Sequence, residues 1–326
     1  MKIESSTLRR IAGYLFAAAI LFFLARALAQ TWDELSVSGF RFNFDAPRVA
    51  VSLALLVLAR VFAVEAWRRI FWMLGEKLAF TFAMRVWFLS NLARYVPGNV
   101  WQVAAMIALV NEKGVSKTNA FLSQVIYTAI SLSICGLFGL LYLLIRPEIL
   151  ETLTGNYQLP ITAYAAPVAA VAFTALILIL ASPRVLRLII AMTARLTRRE
   201  LSAPPTTFAR GLIPPLYASA LWLTNGVAFY LFVSAIADQP LAHLPAFIAI
   251  NAGAYWIGYA SFITPSGLGF REGALALMLA PFFPTPVAVA LSLVTRVWST
   301  AGELLGVVLV WSGPRRAPRA AAEKSR

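Results

Sequence analysis

Charged residues are scarce in this chain. Of its 326 residues only 13% are Asp, Glu, Lys or Arg, whereas soluble globular domains usually carry about 25%. Hydrophobic residues make up 60% of the chain, and its mean hydropathy is +0.76. This composition does not suit a soluble fold, and it predicts a polytopic membrane protein in which each helical span uses about 20 apolar residues.

Residues that carry metal, redox and nucleophilic chemistry are also rare. The single cysteine, Cys135, lies in an apolar run, so it supports neither an intrachain disulfide nor a cysteine metal cluster, and we interpret it as a helix-packing residue. The single histidine, His243, falls in a predicted outer loop, and the sequence has no Asp-x-Asp pair. We therefore predict no catalytic residue, no metal site and no cofactor.

Eight apolar runs divide the chain. They cover residues 11–29, 49–67, 78–110, 119–145, 161–181, 212–236, 245–284 and 286–311. Their length favours helices, because barrel strands would be short and alternating. We expect the first run to be a retained span, with a cleaved secretory signal as the alternative, since basic residues precede it.

Two of these runs contain helix breakers. The third run contains Pro97-Gly98, and the seventh contains the segment 265–269, Pro-Ser-Gly-Leu-Gly. Each run is predicted to form two helical pieces that meet at a bend, either as a re-entrant hairpin or as two spans. The expected fold is an all-α, polytopic integral membrane protein with about six full spans plus two broken or re-entrant hairpins.

Paired breaks in the two halves of a chain are typical of inverted repeats around a central site. We predict one transmembrane domain over residues 1–314, with pseudo-repeat halves at about 8–145 and 161–312. Residues 315–326 form a short Ala- and Arg-rich stretch that we expect to be a disordered basic tail.

Positive charge is distributed unevenly along the chain. If each broken run enters and leaves on one side, nineteen of the 28 Lys and Arg residues fall in cytoplasmic segments, four fall outside and five lie within apolar runs. This asymmetry agrees with the positive-inside rule. It predicts a bacterial inner-membrane protein with both termini in the cytoplasm. The segments expected there are 111–118 and 184–210, and those expected outside are 30–47, 146–160 and 238–244.

The same rule accounts for the net charge of +14. We interpret the loop 184–210 and the basic tail as topology determinants that also touch anionic lipid headgroups. Nucleic acid is therefore not expected as a partner.

Ionisable residues inside apolar runs are costly and mark functional sites. They are Arg60, Glu65, Arg85, Arg94, Arg271, Glu272, Arg296 and Glu303. Structural pairing is the alternative for each of them, most of all for Glu65, which stands close to Arg68 and Arg69. A further pair, Gly302 and Gly306, indicates close helix packing.

The two breaks predict the binding site. A helix that begins inside the bilayer carries unpaired N–H groups and a partial positive charge, which suits an anionic ligand. The residues predicted to bind a lipid headgroup are Arg94, Asn99, Trp101, Gln102, Arg271 and Glu272. In this site the arginines hold phosphate oxygens, and Glu272 orients Arg271. Arg296 and Glu303 are predicted as gating or coupling groups. The alternative is that both breaks serve packing alone.

The two break motifs resemble those of a known family. Residues 94–101, Arg-Tyr-Val-Pro-Gly-Asn-Val-Trp, and residues 265–272, Pro-Ser-Gly-Leu-Gly-Phe-Arg-Glu, are similar to signatures of the flippase-like transmembrane domain of lysylphosphatidylglycerol synthases, the multiple peptide resistance factors. The similarity in layout covers roughly residues 8–312. It implies an all-helical fold with re-entrant helices and movement of lipids between leaflets. Stand-alone relatives are associated with hopanoid or polyprenyl-linked lipids.

Two positions depart from the family pattern. Asn99 stands where the family often has lysine, and Ser266 replaces the first glycine of the second motif. Both differences argue against lysylphosphatidylglycerol as the cargo. The chain continues only fifteen residues beyond its last predicted span, so we expect a stand-alone member without a synthase domain.

The favoured function is a lipid translocase that is not an enzyme. Its expected partner is an anionic phospholipid, a hopanoid or a polyprenyl-linked lipid. Two alternatives stay open. One is a non-transporting membrane partner of an envelope lipid or glycan biosynthesis enzyme, and the other is a polyprenyl-linked glycosyltransferase.

Overall fold

The fold is known from a computed structural model that describes residues 26, 40, 42–93, 101–145, 165–197, 206–260, 267 and 269–311. Regular structure in these residues is helical. The first apolar run apart from Arg26, both termini, Arg94 and Asn99 lie outside the described residues. The expectations for these segments therefore stay predictions.

Ten α-helices make up the described part of the chain, and a short 3₁₀ turn, Leu241–His243, precedes the eighth. In chain order they are α1 (Ala46–Met73), α2 (Phe80–Leu92), α3 (Trp101–Asn111), α4 (Lys117–Ile145), α5 (Ala165–Ala181), α6 (Pro183–Thr197), α7 (Phe208–Ile236), α8 (Leu244–Ala260), α9 (Phe270–Leu279) and α10 (Thr285–Trp311).

The long helices span a membrane. Helices α1, α4, α7 and α10 contain 27 to 29 residues, about 40 to 44 Å at a rise of 1.5 Å per residue, which exceeds the roughly 30 Å of a hydrocarbon core. By length and composition alone, α8 together with its 3₁₀ turn also qualifies as a candidate span. The pair α5–α6, bent by 64°, raises the number of candidates in the described residues from five to six. The predicted all-α polytopic fold is confirmed.

The helix connections gather at two ends of the molecule. At one end, Asn119 at the start of α4 donates to the Glu76 carboxylate between α1 and α2 (3.1 Å). Arg210 at the start of α7 lies over the Trp72 ring of α1 (5.0 Å). We call this the basic end. Its described cations are Arg68, Arg69, Lys77, Lys113, Lys117, Arg184, Arg187, Arg195 and Arg210.

The opposite end carries far less positive charge. Here the start of α1 meets the end of α7, because the Asn43 N–H donates to the Ile236 carbonyl (2.8 Å). Arg48 forms ion pairs with Asp45 (3.0 Å) and Asp238 (3.1 Å). Among the described residues, the charge asymmetry expected from the sequence is thus present in three dimensions.

The third apolar run forms a hairpin, α2–α3, at the basic end. With 13 and 11 residues, its helices are about 20 and 16 Å long, too short to cross a bilayer. Both outer ends lie at the basic end, and the inner tips meet where Gln102 donates to the Asn91 side chain (2.5 Å). On its described residues this run therefore enters and leaves on one side.

The seventh run forms a second hairpin, α8–α9, from the opposite end. Phe282, just after α9, packs against His243 and Phe247 at the start of α8, with ring centroids 5.0 and 5.3 Å apart. Near the inner tip, Gly258 of α8 lies against the Arg271 side chain of α9. The two hairpins thus reach toward each other from opposite ends.

The connection 184–210, expected as a loop, contains the helix α6. Its buried residues Leu186, Ile190 and Thr193 recur at helical spacing, while Arg187 and Arg195 are exposed. The interpretation as a plain loop was wrong, because it used the arginines for topology and overlooked the apolar period between them.

Polar contacts and glycines join the long helices. Three indole N–H groups donate to serines of neighbouring helices: Trp67 to Ser123, Trp222 to Ser131 and Trp298 to Ser52, at 3.0 to 3.2 Å. Such bonds satisfy polar groups that lipid cannot. The predicted close packing at Gly302 and Gly306 is confirmed, because a Cβ there would collide with Leu56 of α1 and Phe88 of α2.

Candidate functional site: a cationic cavity between two hairpins

A cavity of about 190 Å³ lies between the inner tips of the two hairpins. Arg60 of α1, Ser131 of α4 and Trp222 of α7 contribute to its wall. Each of these residues is the fifteenth of the 28 or 29 residues in its helix. Because the three helices are nearly equal in length, the cavity lies halfway between the two ends of the molecule. This depth corresponds to the middle of a bilayer.

Three guanidinium groups line this cavity. Arg60, Arg271 and Arg296 come from α1, α9 and α10, and no Asp or Glu is among its described lining residues. The remaining polar lining is neutral and consists of Asn91, Gln102, Gln124, Thr128 and Ser131, with the aromatic residues Trp87, Tyr127, Trp222, Tyr255 and Tyr259. An electrically positive chamber with hydrogen-bonding walls results.

Glu272 supports one side of the cavity. Its Oε1 atom pairs with Arg296 Nη1 (3.2 Å), and its Oε2 atom accepts from the Gly269 N–H (2.8 Å). The two side chains are almost completely buried. Glu272 is the third residue of α9, so it caps the N-terminus of that helix with its own carboxylate. Two of the predicted residues are thereby joined across α9 and α10.

Arg271 is the second residue of α9 and lies beside an aromatic ring of α8. Its guanidinium carbon lies 5.8 Å from the centre of the Tyr255 ring, a cation–π contact. At its base, Gly258 allows close approach, since a Cβ on Gly258 would stand 2.7 Å from Arg271 Cβ. Gly267 has φ +68° and packs against the same Gly258 backbone. The glycines of the second break thus bring Arg271 to the cavity.

Comparison with protein families gives a match over most of the chain. Residues 10–306 match the family described as the lysylphosphatidylglycerol synthase TM region. The chain belongs to this family. Comparisons with curated proteins and with solved structures give no match.

This family member brings together part of the site predicted from its sequence. Gln102, Arg271 and Arg296 line the cavity, and Glu272 lies directly behind them. Trp101 is 43% exposed and is not among the described lining residues, and neither is the buried Glu303. The expectation that Glu272 orients Arg271 differs from the geometry, because the carboxylate oxygens contact Arg296 and the Gly269 N–H.

Arg60 is the residue that the predicted site lacked. It stands in the middle of an apolar run, the signal that could have singled it out. Among the described residues, no carboxylate lies within ion-pair distance of its guanidinium. Arg60 therefore belongs to the candidate site of this lysylphosphatidylglycerol synthase TM region.

Two other embedded residues have structural roles. Glu65 pairs with Arg68 (2.8 Å) and Arg69 (3.4 Å) one turn further along α1. The thiol of Cys135 is buried and donates to the Ala252 carbonyl between α4 and α8 (3.1 Å). The structural interpretation of both residues is confirmed.

Proposed function

We propose that this chain is a lipid translocase of the bacterial inner membrane that holds an anionic or amphiphilic headgroup between its two hairpins. The observation that carries the proposal is the cavity at mid-depth, lined by Arg60, Arg271 and Arg296 without a carboxylate among the described lining residues. Excess positive charge at this depth is costly, and a bound phosphate offsets that cost.

Arginine suits this task chemically. Its planar guanidinium offers paired N–H donors that match two phosphate oxygens at once. The neutral wall supplies hydroxyl and amide groups for the rest of a headgroup, among them Gln124, Thr128 and Tyr259. The acyl chains then stay in lipid while the headgroup occupies the cavity.

The two hairpins supply the means of alternating access. One reaches the cavity from the basic end and the other from the opposite end, so movement of either hairpin opens a path to one leaflet. The proposal therefore requires no soluble domain and assigns the chain no catalytic role. It predicts that the chain alone forms no aminoacylated phosphatidylglycerol in a strain without other synthases, as measured by lipid mass spectrometry.

Orientation is part of the proposal. The cations of the basic end support its placement in the cytoplasm. In a Cys135→Ser background, a membrane-impermeant maleimide applied to intact cells should label Asp238→Cys and leave Arg195→Cys unlabelled. Both positions are exposed in the structure. Labelling of Arg195→Cys from outside would reverse the orientation.

Transport itself is tested with purified protein in vesicles. Wild type should exchange tail-labelled phosphatidylglycerol between leaflets, and Arg271→Ala should slow this exchange by about ten- to a hundredfold, the value of one or two charged hydrogen bonds. Arg271→Lys keeps the charge but loses the paired donors, so we expect partial activity with near-normal stability. Full activity of Arg271→Ala would remove this residue from the site. A folded wild type without exchange would favour the non-transporting partner instead.

A further inference from the structure

We infer that the cavity selects lipid headgroups by charge, accepting a phosphate group with no accompanying ammonium and rejecting aminoacylated headgroups, and that Arg60 sets this selectivity. The inference rests on the proposed function and specifies its substrate class. It excludes lysylphosphatidylglycerol, the lipid after which the family is described, as the substrate of this chain.

Arg60 is the starting point. It lies at the centre of α1 and faces the cavity, and no described carboxylate is within 4.0 Å of its guanidinium. Apart from Arg271 and Arg296, the described polar residues of the cavity wall, among them Tyr127 and Ser131, are neutral. A guanidinium so placed gains most from a ligand that carries negative charge.

Few carboxylates in the apolar runs could neutralise the charge of Arg60. Of the 14 acidic residues in the chain, three lie within apolar runs: Glu65, Glu272 and Glu303. The first pairs with Arg68 and Arg69 on α1, and the second pairs with Arg296. Glu303 is buried and is not among the described lining residues. Residues 94–100 and 261–266, which join the hairpin helices, contain no Asp or Glu.

An ammonium group finds poor partners in this cavity. It would meet the three guanidinium groups, and like charges in a low dielectric repel strongly. Aromatic faces are the other groups that bind ammonium. Here Tyr255 already faces Arg271, packs on Trp222 (4.8 Å) and stacks with Tyr259 (6.2 Å), while Trp87 packs on Tyr127 (5.0 Å). The cavity therefore matches phosphate and opposes ammonium.

The experiment compares three probes with identical labelled acyl chains in proteoliposomes: phosphatidylglycerol, phosphatidylethanolamine and lysylphosphatidylglycerol. Wild type should move the first at least about tenfold faster than the third, with the zwitterionic probe between them. Arg60→Gln should slow the exchange of phosphatidylglycerol and make the exchange rates of the three probes similar. Arg60→Glu should reverse the order, and Arg60→Lys should preserve it.

Arg85 supplies the matched control. It is also an arginine within an apolar run, but it lines a separate crevice with Phe88 and Trp311. Arg85→Gln removes the same charge and should leave the ratio of rates unchanged. An equal loss of selectivity in Arg85→Gln would show a general charge effect and overturn the role of Arg60.

The outcomes separate the inference from the proposed function. If folded wild type moves none of the probes, the translocase proposal fails. If it moves phosphatidylglycerol and lysylphosphatidylglycerol at equal rates, the proposal stands and the charge selection is wrong. Should Arg60→Glu fail to fold, Arg60→Gln decides alone, because an unchanged ratio in that variant overturns the assignment of Arg60.

Discussion

The two hairpins reach the same cavity but are held by different chemistry. In the described part of α2–α3, a neutral hydrogen bond from Gln102 to Asn91 joins the inner tips. In α8–α9, the tip is fixed by the buried ion pair of Glu272 with Arg296 and by the carboxylate cap on Gly269. The hairpins resemble each other in layout and differ in the chemistry of their tip contacts.

The two tip contacts differ in how much their loss destabilises the protein. A neutral hydrogen bond contributes about 0.5 to 1.5 kcal/mol to stability, whereas removing one partner of a buried ion pair costs about 3 to 5 kcal/mol. Loss of a single tip contact should therefore destabilise the second hairpin more than the first. Three sets of substitutions test this comparison.

The largest effect is expected from Glu272→Gln. It keeps the size of the side chain and an acceptor for the Gly269 N–H but removes the charge of Glu272 from its ion pair with the buried Arg296. We expect a loss of about 3 to 5 kcal/mol in the free energy of unfolding, measured by thermal and denaturant unfolding in detergent. Adding Arg296→Met should restore much of that stability, because both charges are then absent. Equal stability of Glu272→Gln and wild type would remove the distinction between the hairpins.

An intermediate effect is expected from Gly267→Ala. The residue has φ +68°, and a Cβ there would stand 2.5 Å from the Gly258 carbonyl oxygen. We expect a cost of about 1 to 3 kcal/mol, together with slower lipid exchange because Arg271 is displaced. Gly273→Ala is the control, since a Cβ at Gly273 meets nothing within 4 Å. Similar behaviour of the two variants would contradict a tightly built second break.

The smallest effect is expected in the first hairpin. Asn91→Ala and Gln102→Ala should each cost about 1 kcal/mol, and the double variant should cost little more than either one, because the same hydrogen bond is lost. A double-mutant cycle on unfolding free energies measures this coupling. A coupling as large as that between Glu272 and Arg296 would make the two hairpins equally firm.

The sequence predicts the hairpins because their cause is local. Closely spaced prolines and glycines disfavour a continuous helix, so the sequence indicates breaks at Pro97-Gly98 and at 265–269 without knowledge of the tertiary fold. Prolines alone do not always have this effect here, since Pro214 and Pro215 lie inside α7. The same reasoning missed α6, where arginines interrupt the apolar pattern. There the helical period lies in every third or fourth residue and not in a continuous run.

The site was predicted only in part because its contacts are not local. Arg296 pairs with Glu272 because α9 packs against α10, although the two residues stand 24 positions apart. Arg60 joins them from α1, and no spacing in the sequence indicates that meeting. Trp101 follows the first break directly, yet its side chain is turned outward and is 43% exposed. A residue's proximity to a break thus predicts its depth in the membrane better than it predicts whether its side chain faces the cavity.

The length of α9 indicates what fraction of the membrane voltage lies between the cavity and the opposite end of the molecule. Its ten residues cover about 15 Å, half of a hydrocarbon core, between the cavity and the opposite end. If the chain translocates lipids in the proposed orientation, a headgroup with one net negative charge has crossed roughly half of the membrane voltage when it reaches Arg271, and full passage of one charge corresponds to about 2.3 kcal/mol per 100 mV. Movement of such a lipid is a current, and a cell interior at negative voltage drives it outward. A zwitterionic lipid on the same route would carry no current and would not respond to the voltage.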